Sequence, residues 1–167
     1  EYREQLASVA AALEQRAGRQ WRPLQDTAIS AQVLFGAADE GQSARRSVDF
    51  YDESILIWLE ADMLIRKASA GQRSLDDFCK RFHGGPEGPY VVKPYALDEL
   101  LATLTSLHTH AWRGFFSERV ERVAPHAPLG GLTAAGWKLA FSDEPNLFRK
   151  DREERDKLVD ESASIGV

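Results

Sequence analysis

Residues 47–69, SVDFYDESILIWLEADMLIRKAS, constrain the fold more than any other stretch of the chain. From Ile55 onward the apolar residues Ile55, Leu56, Ile57, Trp58, Leu59, Ala61, Met63, Leu64 and Ile65 come too densely for a surface helix, whose apolar stripe is only about 100° wide. A helix that is apolar on more than one face has to be covered on more than one side, so it belongs in the middle of a domain. Its ends are marked as well. Asp52, Glu53 and Ser54 stand where a first turn favours carboxylates and hydroxyls, Arg66 and Lys67 stand where a last turn favours cations, and Gly71 is a stop. Phe50 and Tyr51 lie just before the capping residues, which puts a phenol at the mouth of a rigid, buried element.

The remainder reads as shorter helices around this one. Leu6, Val9, Ala10 and Leu13 give residues 2–17 a helical spacing, closed by Gly18. Residues 27–34 can form a short helical turn, Trp21 and Phe35 are expected as plugs over the core, and GAADEGQSARR reads as a loop. Ser74 followed by Asp77 approximates a capping box for a helix over 75–82. HGGPEGP, with three glycines and two prolines in seven residues, is an exposed break, and YVVKPY after it is too short to found a sheet. Leu97, Leu100, Leu101, Leu104 and Leu107 mark a helix, and Trp112, Phe115, Phe116 and Val120 mark another that ends before Pro125. PLGGLTAAGWKLAF predicts a short helix to Ala135, a stop at Gly136, and a lone strand over 137–141 that would need a partner. Residues 146–162 are charged nearly all round and read as a solvated helix or a linker. The fold expected is mainly all-α: a helical bundle over 1–143, then a charged tail over 144–167 leading toward a further domain.

Composition narrows the function classes. With 43% hydrophobic and 28% charged residues, the 167 residues suit one ordinary domain with a sizeable core. A net charge of −5 with interspersed signs argues against nucleic acid as partner, because that affinity rests on clustered Lys and Arg. No run of about 18 apolar residues is present to suggest a membrane span. Cys79 is alone, so no internal disulfide forms, and a small buried hydrophobe is its plainest role. The chain starts at Glu1 without a methionine and reads as a piece of a longer protein; nothing in it marks a compartment.

Signatures of common chemistry are absent: no GxGxxG, phosphate-binding loop, GxSxG, CxxC pair or HExxH occurs. His108 and His110 are two apart, which sets them on different sides of a helix and together only on a strand, so a shared metal is disfavoured. His83 beside Gly84 suits a helix C-terminus. Glu60 and Asp62 lie within the apolar helix, where a carboxylate is either paired with an Arg or raised in pKa for proton transfer. Pairing is favoured, with Arg66 one turn from Asp62.

The run SVDFYDESILIWLEADMLIRKASAGQRSLDDFCKRFHG resembles the segment that follows the zinc site in the glycyl aminopeptidase family of thermolysin-like zinc metallopeptidases. In that family an aromatic pair precedes a long helix ending in IR, then a Gly and a SLDDF helix. Residues 1–13 resemble the helix soon after the family's second glutamate-bearing helix. ALDELLATLTSL and AWRGFFSERV resemble two later helices, and PLGGLTAAGWKLAFSDEP resembles the closing segment. The likeness runs over practically the whole chain, to about 164–167, where the family usually begins a PDZ domain.

The resemblance implies a fold and a role. In the family and in related zinc aminopeptidases, a tyrosine at the head of this helix, in a Tyr-x-Lys-Gly setting, donates a hydrogen bond to the oxyanion of the tetrahedral intermediate. Tyr51 stands at that place, with Asp52 in the free position, while Glu53 and Ser54 stand where Lys and Gly are expected. The family's zinc ligands and general-base glutamate belong to segments that lie before Glu1 in the resemblance. The chain is therefore expected to be the helical C-terminal subdomain of a zinc aminopeptidase. Its partners would be the zinc-binding subdomain of the same protein and a peptide substrate, and it would carry no metal and no activity alone. Two other readings stay open: a non-catalytic helical domain that holds partner helices in apolar grooves, and an enzyme in its own right built on His108, His110 or Glu60.

Overall fold

The computed structural model describes residues 2–37, 41–85 and 92–157. In chain order the helices are α1 (Tyr2–Glu14), α2 (Leu24–Ile29), α3 (Ala31–Leu34), α4 (Gln42–Arg45), α5 (Phe50–Ala68), α6 (Leu75–His83), α7 (Leu97–Leu107), α8 (Trp112–Phe116), α9 (Gly130–Ala134) and α10 (Leu147–Asp156). A 3₁₀ turn, Ala17–Gln20, follows α1, and α8 runs on through a π-helical turn, Ser117–Glu121. The described residues contain no strand, so the fold is all-α.

α5 is the central element, and its faces divide the labour. Ile57, Ala61 and Ile65 recur every fourth residue and form one stripe. That stripe is buried against Leu24 of α2, Phe78 of α6, Leu101, Leu104 and Leu107 of α7, and Trp112 and Phe115 of α8. Leu56 points to a second cluster with Leu6, Ala10 and Leu13 of α1 and with Ala127 and Leu132 around α9. A third face carries the carboxylates Glu53 and Glu60, and a fourth lines an open groove. α9 comes so close to α5 that a Cβ added at Gly131 would lie 2.6 Å from the Glu60 amide nitrogen, so only glycine fits there.

Local chemistry sets the boundaries. Asp76 N–H donates to Ser74 Oγ at 3.2 Å and Ser74 N–H donates to Asp77 Oδ2 at 2.9 Å, so aspartate completes the capping box as well as glutamate does elsewhere. α7 spans the expected residues, with the Ala96 amide held by Glu99 Oε2 at 2.8 Å. Past α5, the Gly71 amide donates to Arg66 O at 2.8 Å and closes the last turn.

Several expectations fail on non-local grounds. α1 ends at Glu14 and not at Gly18; Gly18 instead lies buried in the 3₁₀ turn, where a Cβ would be 2.7 Å from Ala44 O and Arg46 N. The turn expected over 27–34 starts earlier and breaks at Ser30 into α2 and α3, and α4 forms inside the expected loop. Trp21 and Phe35 are not core plugs: they are 61% and 63% exposed, and the Trp21 indole spends its N–H on Ala44 O at 2.9 Å. Cys79 is exposed because it lies on the side of α6 that Phe78, 3% exposed, leaves to solvent. Residues 137–141 have no ladder partner among helices and run without regular structure, with Phe141 92% exposed. In the tail, Asn146 caps α10 by accepting from the Arg149 amide at 2.9 Å and ties it to α1 through Nδ2 donating to Glu4 O at 2.9 Å. Most of HGGPEGP, the start of YVVKPY and the end of the tail lie outside the described residues.

Candidate functional site

The head of α5 is held by ions, not by an ordinary cap. Asp49, the residue before the helix, caps no amide of the first turn and instead gathers arginines. It accepts from Arg16 Nη1 at 2.5 Å and Arg46 Nε at 2.8 Å, and the Ser47 amide adds a bond at 3.3 Å. One turn on, Glu53 accepts from Arg19 Nη2 at 2.8 Å, from Arg19 Nη1 at 3.3 Å and from Arg46 Nη2. Arg19, Arg46 and Glu53 are each 2% exposed and Asp49 is 3% exposed. Burying such charges is costly unless every donor and acceptor finds a partner. The remaining guanidinium donors do so on main-chain carbonyls: Arg19 on Ala124 O and Leu13 O, and Arg46 on Arg22 O. The network thus ties α1, the turn after it, the segment before α5 and the 122–129 stretch to one helical turn.

Arg46 reaches this position on a strained backbone, with φ 62 and ψ 162, a region that only glycine occupies freely. Holding an arginine there costs on the order of 1–3 kcal/mol. The fork it places between Asp49 and Glu53 offsets that cost, since lysine could not serve both carboxylates in this geometry.

Tyr51 occupies the first turn of the helix so fixed. Its ring packs against Phe50 at 4.4 Å between centroids, its carbonyl accepts from Ser54 Oγ at 2.7 Å, and it is 60% exposed. Among the described residues its hydroxyl makes no hydrogen bond. Successive residues on α5 turn by about 100°, so Tyr51, Ile55, Trp58 and Asp62 share one face. Below Tyr51 that face forms the wall of a groove of about 650 Å³, completed by Phe78, Cys79 and Phe82 of α6 and by Tyr95. Trp58 and Phe78 pack at 5.3 Å, Phe78 stacks on Phe82 at 5.2 Å, and Tyr95 meets Phe82 edge-on at 4.9 Å. Asp62 closes the far end, accepting from Arg66 Nε at 2.6 Å and from the Leu75 amide at 2.7 Å.

Beyond Glu53, the carboxylates Glu60 and Asp62 of α5 are paired. Glu60 receives two bonds from Arg119, Nε at 2.9 Å and Nη2 at 2.6 Å, and the guanidinium lies 3.8 Å over the Phe115 ring. Asp62 has the partner that spacing suggested, whereas Arg119 is 59 positions from Glu60 and no local signal names it. The network at Asp49 and Glu53 was equally hidden. Its only sequence trace is a glutamate one turn into a helix that is otherwise apolar where it turns inward.

The histidines do not converge. His108 and His110 face each other at 5.9 Å with rings 25° apart, an arrangement in which the ring nitrogens do not aim at one point. His83 lies in the last turn of α6 against Phe82. His126 pairs with Glu14, whose second oxygen accepts from the Ala127 amide at 2.8 Å. Partial burial pushes the Glu14 carboxyl up, but the hydrogen bonds from His126 and Ala127, with the charges of His126 and Arg19, outweigh it and hold the group below its usual range. Among the described residues no three His, Cys, Asp or Glu side chains come together as metal ligands. No described helix is long and apolar enough to cross a membrane. No family model matches the chain, and no curated protein matches it.

Proposed function

We propose that this chain is the C-terminal helical subdomain of a zinc-dependent aminopeptidase of the glycyl aminopeptidase type, with Tyr51 as its catalytic residue. The observation that supports the reading is the state of Tyr51: a phenol with an uncommitted hydroxyl on the exposed head of a helix that a buried ionic network immobilises. Such a group suits an oxyanion donor, which has to be fixed beforehand and free of other partners when charge develops. The N-terminus of α5 adds positive dipole on the same side. When a substrate carbonyl is attacked, the Tyr51 O–H donates to the oxygen that gains the negative charge, and the proton stays on the phenol throughout. Metal, nucleophilic water and general base belong to the zinc-binding subdomain of the same protein, which closes over Tyr51 and makes the site dry.

Hydrolysis tests the reading. The full-length protein should release the amine from an aminoacyl p-nitroanilide and lose that activity on chelation, while residues 1–167 alone should be inert. A full-length protein that cleaves no N-terminal residue would remove the enzymatic reading. The apolar groove favours one other reading, a non-catalytic helical domain that holds a partner helix along α5 and α6. It predicts binding of an amphipathic helix and no turnover.

A further inference from the structure

The groove beside Tyr51 has a direction. Ile55, Trp58 and Asp62 of α5 line it at helical intervals, and Tyr51 lies one turn before Ile55 on the same face of the helix, just outside the lining. If Tyr51 meets the scissile carbonyl, as proposed above, the rest of the groove can hold only one part of the substrate. An aminopeptidase substrate has a single residue on the amine side of the bond, so everything that extends along α5 lies on the leaving side.

Spacing fixes the register. The rise of a helix is about 1.5 Å per residue, so Trp58 lies about 10 Å along α5 from Tyr51. An extended peptide advances about 3.3 Å per residue, so about three residues cover that span. At that depth the lining is aromatic and aliphatic: Trp58 backed by Phe78, with Phe82 and Tyr95 on the opposite side and the exposed Ile55 and Cys79 at the lip. Asp62 and Arg66 satisfy each other at the end, and the other carboxylate of the lining, Asp76, repels an acidic side chain. A cavity of about 650 Å³ lies within the range that encloses small ligands.

We infer that this groove is a subsite for a large apolar side chain at the third residue beyond the scissile bond, so that the enzyme cleaves peptides of four or more residues more efficiently than shorter substrates and prefers Leu or Phe over Asp at that position. The inference rests on the aminopeptidase reading. It adds a substrate class that Tyr51 alone does not specify, because an oxyanion donor touches only the carbonyl common to all peptides.

The test compares two tetrapeptides with the full-length enzyme, identical except for Leu or Asp at the last position and amidated to remove the terminal charge. The Leu peptide should have a kcat/KM about tenfold or more above that of the Asp peptide, the scale on which a hydrophobic pocket discriminates. Ile55→Asp combined with Cys79→Asp puts charge on two exposed lip positions without touching the packed rings, and should bring the ratio toward one, chiefly through KM for the Leu peptide. Val33→Ser, exposed and away from the groove, should keep the ratio. A wild-type ratio near one, or a ratio that survives the double lip variant, overturns the subsite. If aminoacyl p-nitroanilide is still cleaved in that case, only the subsite falls and the aminopeptidase reading stands. If neither substrate is cleaved, both fall together.

Discussion

The two halves of α5 are anchored by opposite chemistries. From Ile57 to Ile65 the helix is held by apolar side chains from α2, α6, α7 and α8, whereas its first turn is held by Arg16, Arg19 and Arg46 acting on Asp49 and Glu53. Apolar packing is forgiving in direction and spreads its energy over many contacts. A buried ion network is directional: with every donor used it permits one arrangement, and with one partner missing it strands a charge. The end of the helix that carries Tyr51 is thus the end where geometry is fixed most sharply, and the far end supplies most of the hydrophobic stabilisation.

That contrast can be broken first at Glu53. Glu53→Ala leaves Arg19 and Arg46 buried without their shared carboxylate and should cost about 3–5 kcal/mol of unfolding free energy in denaturant titration. At the apolar end, Leu104→Ala removes a fully buried side chain facing the α5 stripe and should cost about 2–5 kcal/mol. The two should differ in kind as well as size. Replacing Glu53, Arg19 and Arg46 together by apolar residues of similar volume should recover much of the loss, because no stranded charge remains. No compensating change of that sort is available for Leu104 short of refilling the cavity.

Gly131→Ala comes next. Its Cβ would meet the backbone of α5 at Glu60, so α9 must back away, at about 1–3 kcal/mol. The smallest effect belongs to Glu14. Its carboxyl is held below its usual range in the folded chain, so its bonds to His126 and Ala127 stabilise the fold above the unfolded carboxylate's range, and that contribution is lost as pH falls through the lowered folded value. Melting curves from neutral to acid pH should therefore decline less steeply at the acid end for Glu14→Gln than for the parent chain.

The sequence displayed the apolar end far better than the ionic one. Period and end signals located α5 to within a few residues and α7 to the residue, because both are written in neighbours three and four positions apart. The Asp62–Arg66 pair was visible for the same reason. Arg119 on Glu60, and Arg19 and Arg46 on Glu53, join residues far apart in sequence or across a loop, where only the folded chain supplies the partner. Trp21, Phe35 and Cys79 failed in the other direction: hydrophobic character alone does not say which side of a short helix the core lies on. The strand over 137–141 failed because the described helices offer it no edge to pair with. Tyr51 stood where the helix-end signals put it, at the head of α5, while the network that braces it was unread.

The central claim is tested most directly by Tyr51→Phe in the full-length protein, assayed on an aminoacyl substrate beside a melting curve. Because the hydroxyl makes no hydrogen bond among the described residues and the side chain is largely exposed, the melting temperature should stay at the parent value. Removal of one oxyanion donor should lower kcat and kcat/KM together by about 10² to 10³ while KM changes little. A kcat within about threefold of the parent, far short of the loss of an oxyanion donor, would contradict the catalytic role of Tyr51 and leave α5 and its ionic anchor as scaffold alone.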